Sequence, residues 1–275
     1  MKRMLTLLAG IGMACSALAQ TDTTQQPKTD TLRIGKMIIV RTPGSAKADN
    51  DRETTRVYRR HYKPSNLTTN WLIFDLGFTN WNDQTNYTSA EAQAFAPGSD
   101  EDWFKLKSGK SSNVNIWIFM QRLNLIKHVV NLKYGLGLEM NNYRFKEPVK
   151  FETEPKVHVY MDNSTNYSKN KLAADYFTVP MLLEFNFTPQ RERGFSLAFG
   201  ASAGYLYNSR QKTITDADGK RKKHDDFDLN PWKIQYLAEL GLGPVKLYGA
   251  YATESIFSKG LDLTPYNVGI RINSW

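Results

Sequence analysis

Apolar and polar positions alternate along most of this chain. From Asn70 onward the repeat is two residues, and it persists to the C-terminus. Successive side chains of a β-strand point to opposite faces, so this repeat predicts strands with one apolar and one polar face. Residues 130–141 are the clearest case. Val130, Leu132, Tyr134, Leu136, Leu138 and Met140 share one face, and Asn131, Lys133, Gly135, Gly137, Glu139 and Asn141 share the other. Residues 232–243 repeat the pattern. Trp232, Ile234, Tyr236, Ala238, Leu240 and Leu242 oppose Lys233, Gln235, Leu237, Glu239, Gly241 and Gly243, with Leu237 alone out of place.

Six further segments read alike, for eight strands in all. Leu72, Phe74, Leu76 and Phe78 alternate with Ile73, Asp75, Gly77 and Thr79; Val114, Ile116, Ile118 and Met120 with Asn115, Trp117, Phe119 and Gln121. Val179, Met181, Leu183, Phe185 and Phe187 alternate with Pro180, Leu182, Glu184 and Asn186. Phe195 to Tyr205 carries aromatic or aliphatic residues at odd positions and small ones at even positions. Val245, Leu247, Gly249 and Tyr251, then Tyr266, Val268, Ile270 and Ile272, form the last two apolar faces. Pro180 lacks a ladder donor, which predicts a bulge or a place near a rim.

The connections alternate in length. Long polar stretches at 82–112, 146–173 and 211–230 are separated by tight joins near Lys127-His128, Thr188–Arg193 and Gly243-Pro244, and an intermediate link runs from Ser258 to Leu263. Bacterial membrane barrels pair long outer loops with short periplasmic turns. A sheet with an apolar outer face cannot keep open edges in lipid, because each unpaired N–H or C=O there costs several kcal/mol. The expected fold is therefore all-β: an eight-stranded antiparallel transmembrane β-barrel, residues 70–275, with an N-terminal periplasmic extension. Eight strands leave an interior that side chains fill.

The inward positions bring together Asp75, Glu139, Glu184, Glu239 and Glu254 with Lys133, Lys233, Lys246 and Arg271. Buried charges are tolerated when paired, so these nine residues predict a salt-bridged lumen. The inward glycines, Gly77, Gly135, Gly137, Gly200, Gly204, Gly241 and Gly269, are expected to make room for the long charged side chains. Aromatic residues are 12% of the chain and suit interfacial belts. Trp71, Trp81, Tyr143, Tyr176, Tyr205, Tyr207, Trp232, Tyr251 and Tyr266 are the belt candidates. Trp275 is a terminal aromatic of the kind barrel-assembly machinery reads, although it lies on the opposite alternation from Ile272 unless Asn273-Ser274 bulges.

The N-terminus changes the compartment. Met1-Lys2-Arg3, an apolar run from Met4 to Leu18 and the site Ala17-Leu18-Ala19 have the form of a secretory signal peptide, residues 1–19. The run is short of the ~20 residues a spanning helix needs. Cys15 is the only cysteine; the preceding Gly12-Met13-Ala14 fits lipoprotein processing poorly, so cleavage removes it. Residues 20–69 are expected to form a periplasmic leader and tether, with a short strand or hairpin at 31–40 and a basic stretch after it. The net charge of +9 falls to +7 once Lys2 and Arg3 leave. An exported basic chain is expected to meet envelope anions, not nucleic acid. Low mean hydropathy is compatible with a barrel, because alternation averages out.

With the strands laid out, the chain resembles the outer-membrane β-barrel family abundant in Bacteroidota that includes PorT-like proteins. The resemblance is carried by the cleaved leader and Ile34-Gly35-Lys36-Met37-Ile38-Ile39-Val40, then by Tyr134-Gly135-Leu136-Gly137-Leu138-Glu139. It continues in Tyr176-Phe177-Thr178-Val179-Pro180-Met181-Leu182-Leu183 and Phe199-Gly200-Ala201-Ser202-Ala203-Gly204-Tyr205. It spans about residues 31–275 and implies an outer-membrane location, with architecture specified better than activity.

Little in the sequence points to catalysis. The four histidines, His61, His128, His158 and His224, lack ligand spacing for zinc. His158 and Ser164 are the one nameable pair for a lipid-modifying enzyme. Asp216-Ala217-Asp218-Gly219 opens like a calcium loop, but Phe227 stands at its twelfth position, so a hairpin tip is expected. Lys220 to His224 is followed by Asp225, Asp226 and Asp228, and self-neutralisation is expected. The function expected is a non-enzymatic barrel without cofactors, structural or accessory to an envelope or secretion complex. Its expected partners are outer-membrane lipid, the assembly machinery during insertion, and envelope proteins. The alternatives are a small transporter or pore, a lipid-modifying enzyme, and a soluble secreted β-protein.

Overall fold

The computed structural model describes residues 30–34, 37–41, 58–59, 65–190, 194–243 and 245–272. The expected signal peptide, Cys15, His61, most of the expected leader and tether, and the terminal Trp275 lie outside them. Two units are distinct, one ending at Tyr62 and the other beginning at Lys63. In the first, β1 (Asp30–Ile34) and β2 (Met37–Arg41) form an antiparallel hairpin, and β3 (Tyr58–Arg59) adds to β2.

The second unit is a closed ring. Its eight staves are β4 (Leu67–Asp83), β5 (Ser112–Ile126), β6 (Val130–Arg144), β9 (Tyr167–Asn186), β10 (Phe195–Thr215), β12 (Trp232–Leu242), β13 (Val245–Ala252) and β14 (Leu263–Ile272). Each pairs antiparallel with the next, and β14 pairs with β4 from Leu263↔Asp83 to Ile272↔Phe74, which closes the seam. Closure leaves no edge strand in the ring. Strands reach 20 and 21 residues in β9 and β10, about twice the 9–11 that cross a bilayer. They therefore project well beyond one end.

The short joins lie together at the other end. Between β5 and β6, Lys127 and His128 both have positive φ (47° and 59°), the geometry of a two-residue type I′ hairpin. Asn124 supports it, its Oδ1 accepting from His128 N at 2.6 Å. The long connections carry structure of their own. α1 (Ala90–Phe95) is capped by Ser89, whose Oγ accepts from Ala92 N at 3.2 Å. β7 (Val149–Glu152) and β8 (His158–Met161) pair as a hairpin, and β11 (Gly219–His224) extends β10.

The two-residue alternation sets which face each side chain takes. Phe78, Met181 and Val268 are 62%, 58% and 59% exposed, while Asp75 and Lys133 are fully buried. This is the reverse of a soluble protein, with large apolar side chains outside and charges inside. Strict alternation breaks at several points, among them Tyr207, where β10 gains an extra residue relative to β9. Leu72 takes φ 53°, and β5 gains an extra residue at Ile118 relative to β6. Phe119 therefore turns outward against Trp71, their rings 5.9 Å apart. Met120, expected outside, is instead buried with Ile73 and Trp117. Pro180 sits mid-strand and not at a rim. Its missing donor falls where the β6–β9 ladder is interrupted, between Tyr134↔Met181 and Gly137↔Thr178.

Candidate functional site

The lumen holds a continuous chain of alternating charge. At the seam, Arg271 of β14 lies directly opposite Asp75 of β4. It donates Nε to Asp75 Oδ1 at 2.6 Å and Nη2 to Oδ2 at 2.7 Å. Its remaining nitrogen pairs with Glu239 of β12, which also pairs with Lys133 of β6. Lys133 lies 3.9 Å from Glu184 of β9, and Lys246 and Arg122 approach the same carboxylate at 3.6 and 3.7 Å. Asp75 also accepts from Trp117 Nε1 at 2.6 Å and Asn115 at 3.2 Å. A bidentate guanidinium–carboxylate pair of this kind is directional and strong.

Nearer the long-loop end, Glu139 of β6 gathers a second cluster. Lys233 donates to it at 2.5 Å, Gln235 at 2.9 Å, Asn267 at 3.0 Å and Asn141 at 3.1 Å. Lys233 also sits 4.2 Å from the centre of the Tyr176 ring. Asn113 bridges the two clusters, donating to Asn141 and Asn115 and accepting from Tyr248 Oη at 2.6 Å. The void left among Asn115, Trp117, Glu139, Gln235 and Arg271 is about 20 Å³, room for about one water.

Beyond Glu139 the lumen becomes apolar. Trp81, Tyr143, Tyr176 and Leu172 point inward from the strand ends and meet Phe95, Phe104, Phe145, Phe151, Phe227 and Phe257 from the long connections. The rings stack as one body: Trp81 on Tyr143 at 4.8 Å, and Phe151 against Phe227 at 5.6 Å and Phe257 at 6.1 Å. Expected as polar loops, these connections instead fold into an apolar cap over the barrel mouth.

Several predicted positions change place. Trp81, Tyr143 and Tyr176 are buried in the cap and do not join a belt. Trp71, Tyr205, Tyr207, Trp232, Tyr251 and Tyr266 are exposed on the outer face. Glu254, expected in the lumen, is exposed, because β13 ends at Ala252 before its alternation reaches that residue. Two of the inward glycines clear space for aromatic residues, since a Cβ on Gly137 would lie 2.6 Å from Trp117 and one on Gly77 2.5 Å from Tyr248 Oη, whereas Gly135, Gly200 and Gly269 admit the backbone of the adjoining strand. Sequence reasoning missed Trp117, Tyr248, Asn113 and Gln235 as network members, although their inward parity was visible.

A family model for the outer membrane protein beta-barrel domain matches residues 75–257. The chain belongs to that family. This outer-membrane protein crosses with strands, and no helix among the described residues is long and apolar enough to span. No curated protein matches the chain. The family residues include the whole Glu139 cluster except Asn267, and all of the ionic chain except Arg271.

The other chemical candidates are tied up locally. His158 Nδ1 contacts Lys156 O at 3.0 Å, and Ser164 Oγ donates to Asp162 at 2.6 Å, so neither addresses the other. Asp216 to Asp218 form the tip between β10 and β11. The basic run of β11 is not neutralised by the aspartates that follow it. Arg221 pairs with Asp218 at 2.7 Å, and Lys223 pairs with Glu152 of β7 at 2.5 Å.

Proposed function

We propose that this outer-membrane barrel is a sealed, non-enzymatic scaffold that holds a folded cap outside the cell, structural or accessory to an envelope or secretion complex. The observation that carries this reading is the double closure of the lumen, by an alternating ion chain and then by an aromatic cap. A conducting pore needs hydrated space, and about 20 Å³ inside the network supplies little. The long-loop end faces outward in this reading, because bacterial barrels keep their short turns in the periplasm. The exposed apolar face meets acyl chains there, and the assembly machinery inserts the chain. A cleft of about 380 Å³ bordered by Asp83, Tyr87, Lys105 and Lys146 gives the cap a shaped surface for an envelope partner. The segments Tyr134–Glu139 and Phe199–Tyr205 support a PorT-like member of the Bacteroidota barrels. Planar-bilayer recording tests the sealed state. The expected record is silent at voltages that leave the protein folded; steady unitary conductance overturns the scaffold reading in favour of a pore.

A further inference from the structure

Register places a lattice of cations on one outward face of the long strand extensions. Arg144 of β6 lies beside Lys171 of β9, Lys171 beside Lys212 of β10, and Lys212 beside Lys222 of β11. Two residues further along, Lys169 and Lys220 flank Ile214. Side chains directly opposite in a sheet are about 5 Å apart, and like charges there destabilise it. Asp175 lies on this face too, and it is taken by Arg210 and by Asn208 at 2.7 Å. Among the described residues, no ion pair joins a carboxylate to Lys169, Lys171, Lys212, Lys220 or Lys222. Four strands thus hold a repulsive array that their own sequence leaves uncompensated.

The position of the array identifies what compensates it. On the same face, toward the barrel, Phe177 and Tyr207 pack at 4.5 Å, and Tyr205 packs on Trp232 at 5.0 Å. Exposed aromatics of this kind mark the level where acyl chains give way to headgroups. Asp175 with Arg210 comes first beyond them, and the lattice begins at Lys171 and Lys212, six residues past Phe177 and five past Tyr207. At about 3.3 Å per residue and a tilt of about 40°, that is ~12–15 Å of height, within the headgroup and sugar layer, from which the long lysine stems reach back toward the phosphates.

We infer that this face is a binding site for the phosphate groups of an anionic glycolipid in the leaflet at the long-loop end. The site is built by Arg144, Lys169, Lys171, Lys212, Lys220 and Lys222. It rests on the outward orientation of the long loops given above, and it is separate from the sealed lumen. Ammonium and guanidinium groups on a flat sheet at strand spacing present several donors to one phosphorylated headgroup.

The test uses the full barrel in a neutral detergent, with bisphosphorylated lipid A as the probe. Dephosphorylated lipid A and inorganic phosphate serve as separate arms. Thermal unfolding is followed by the heat-modifiable gel shift. Bisphosphorylated lipid is expected to raise the midpoint, while the dephosphorylated lipid and free phosphate leave it unchanged. The variant K169Q/K171Q/K212Q/K222Q is expected to bind the lipid roughly tenfold more weakly or worse, and to be no less stable than wild type without lipid. K220Q/K222Q, on the exposed hairpin, gives a partial loss if the larger variant folds poorly. R221Q/K223Q, on the opposite face of β11, is expected to retain full binding. Equal lipid shifts in wild type and K220Q/K222Q, or an equal response to dephosphorylated lipid, overturn the site. A response to inorganic phosphate alone replaces the lipid with a soluble anion. None of these outcomes bears on conductance, so the sealed-lumen reading stands or falls separately.

Discussion

Replacing Arg271 by Met opens the seam's ion pair and leaves the rest of β14 intact. Arg271 is buried and supplies two of the bonds to Asp75 and one to Glu239. After the substitution Glu239 keeps Lys133, whereas Asp75 keeps Trp117 and Asn115 but no cation. One buried carboxylate is then uncompensated, a loss of about 3–5 kcal/mol. At about 1.4 kcal/mol per factor of ten, that lowers the folded population ratio by at least a hundredfold. Adding Asp75→Asn removes the stranded charge while preserving an acceptor for Trp117. The double variant should therefore recover most of the loss, with a coupling energy on the order of 2–3 kcal/mol. Urea titration of the barrel refolded in vesicles, read by tryptophan fluorescence, measures all four corners of the cycle. A single-variant cost below about 1 kcal/mol, the range of solvent-exposed ion pairs, would refute the reasoning, because it means water reaches Asp75 freely.

Three further outcomes follow. Gly137→Val drives a side chain into Trp117, which its bond to Asp75 holds in place; a loss of about 1–3 kcal/mol in the same urea titration is expected, and wild-type stability contradicts the packing. Phe151→Ala removes a fully buried ring from the cap at about 3–5 kcal/mol. Limited proteolysis should then cut the long connections while the gel shift of the barrel persists; loss of the gel shift instead makes cap and barrel one cooperative unit. Asp162, in the loop after β8, accepts from Ser164 and Tyr167 at 2.6 Å each, and these bonds hold its carboxyl down at about 2. Its contribution to loop order is complete above the ordinary carboxylate range near 4 and is lost as pH falls through about 2. Carboxyl-carbon NMR showing titration near 4 contradicts this.

The ring was legible because parity alone decides what lies in and out. Val130–Asn141 and Trp232–Gly243 keep one phase over their whole length, and the closure of β14 on β4 follows from the need to pair every edge in lipid. The ion chain was legible for the same reason, since Asp75, Lys133 and Glu239 sit on polar phases. Parity also bore on Trp81, Tyr143 and Tyr176: each shares its phase with inward residues of its own strand, and aromatic character outweighed that signal in assigning them to belts. Met120 was hidden by the bulge at Ile118, which no composition signal marks. Glu254 follows the inward phase of Lys246, Tyr248 and Ala250, but the strand ends before it. The cap could not be read from periodicity. Phe95, Phe104, Phe151, Phe227 and Phe257 are scattered over separate connections without a sustained repeat, and only the tertiary fold brings them together.

Tryptophan quenching by lipids with brominated acyl chains most directly tests a barrel greasy outside and sealed within. Two single-tryptophan proteins suffice, one keeping Trp232, which is 60% exposed, and one keeping Trp117, which is 4% exposed and bonded to Asp75; the other tryptophans become Phe. In vesicles Trp232 should be strongly quenched by the brominated chains, and Trp117 should resist both them and aqueous iodide. Quenching of Trp117 by iodide, or protection of Trp232 from bromine, would contradict the account.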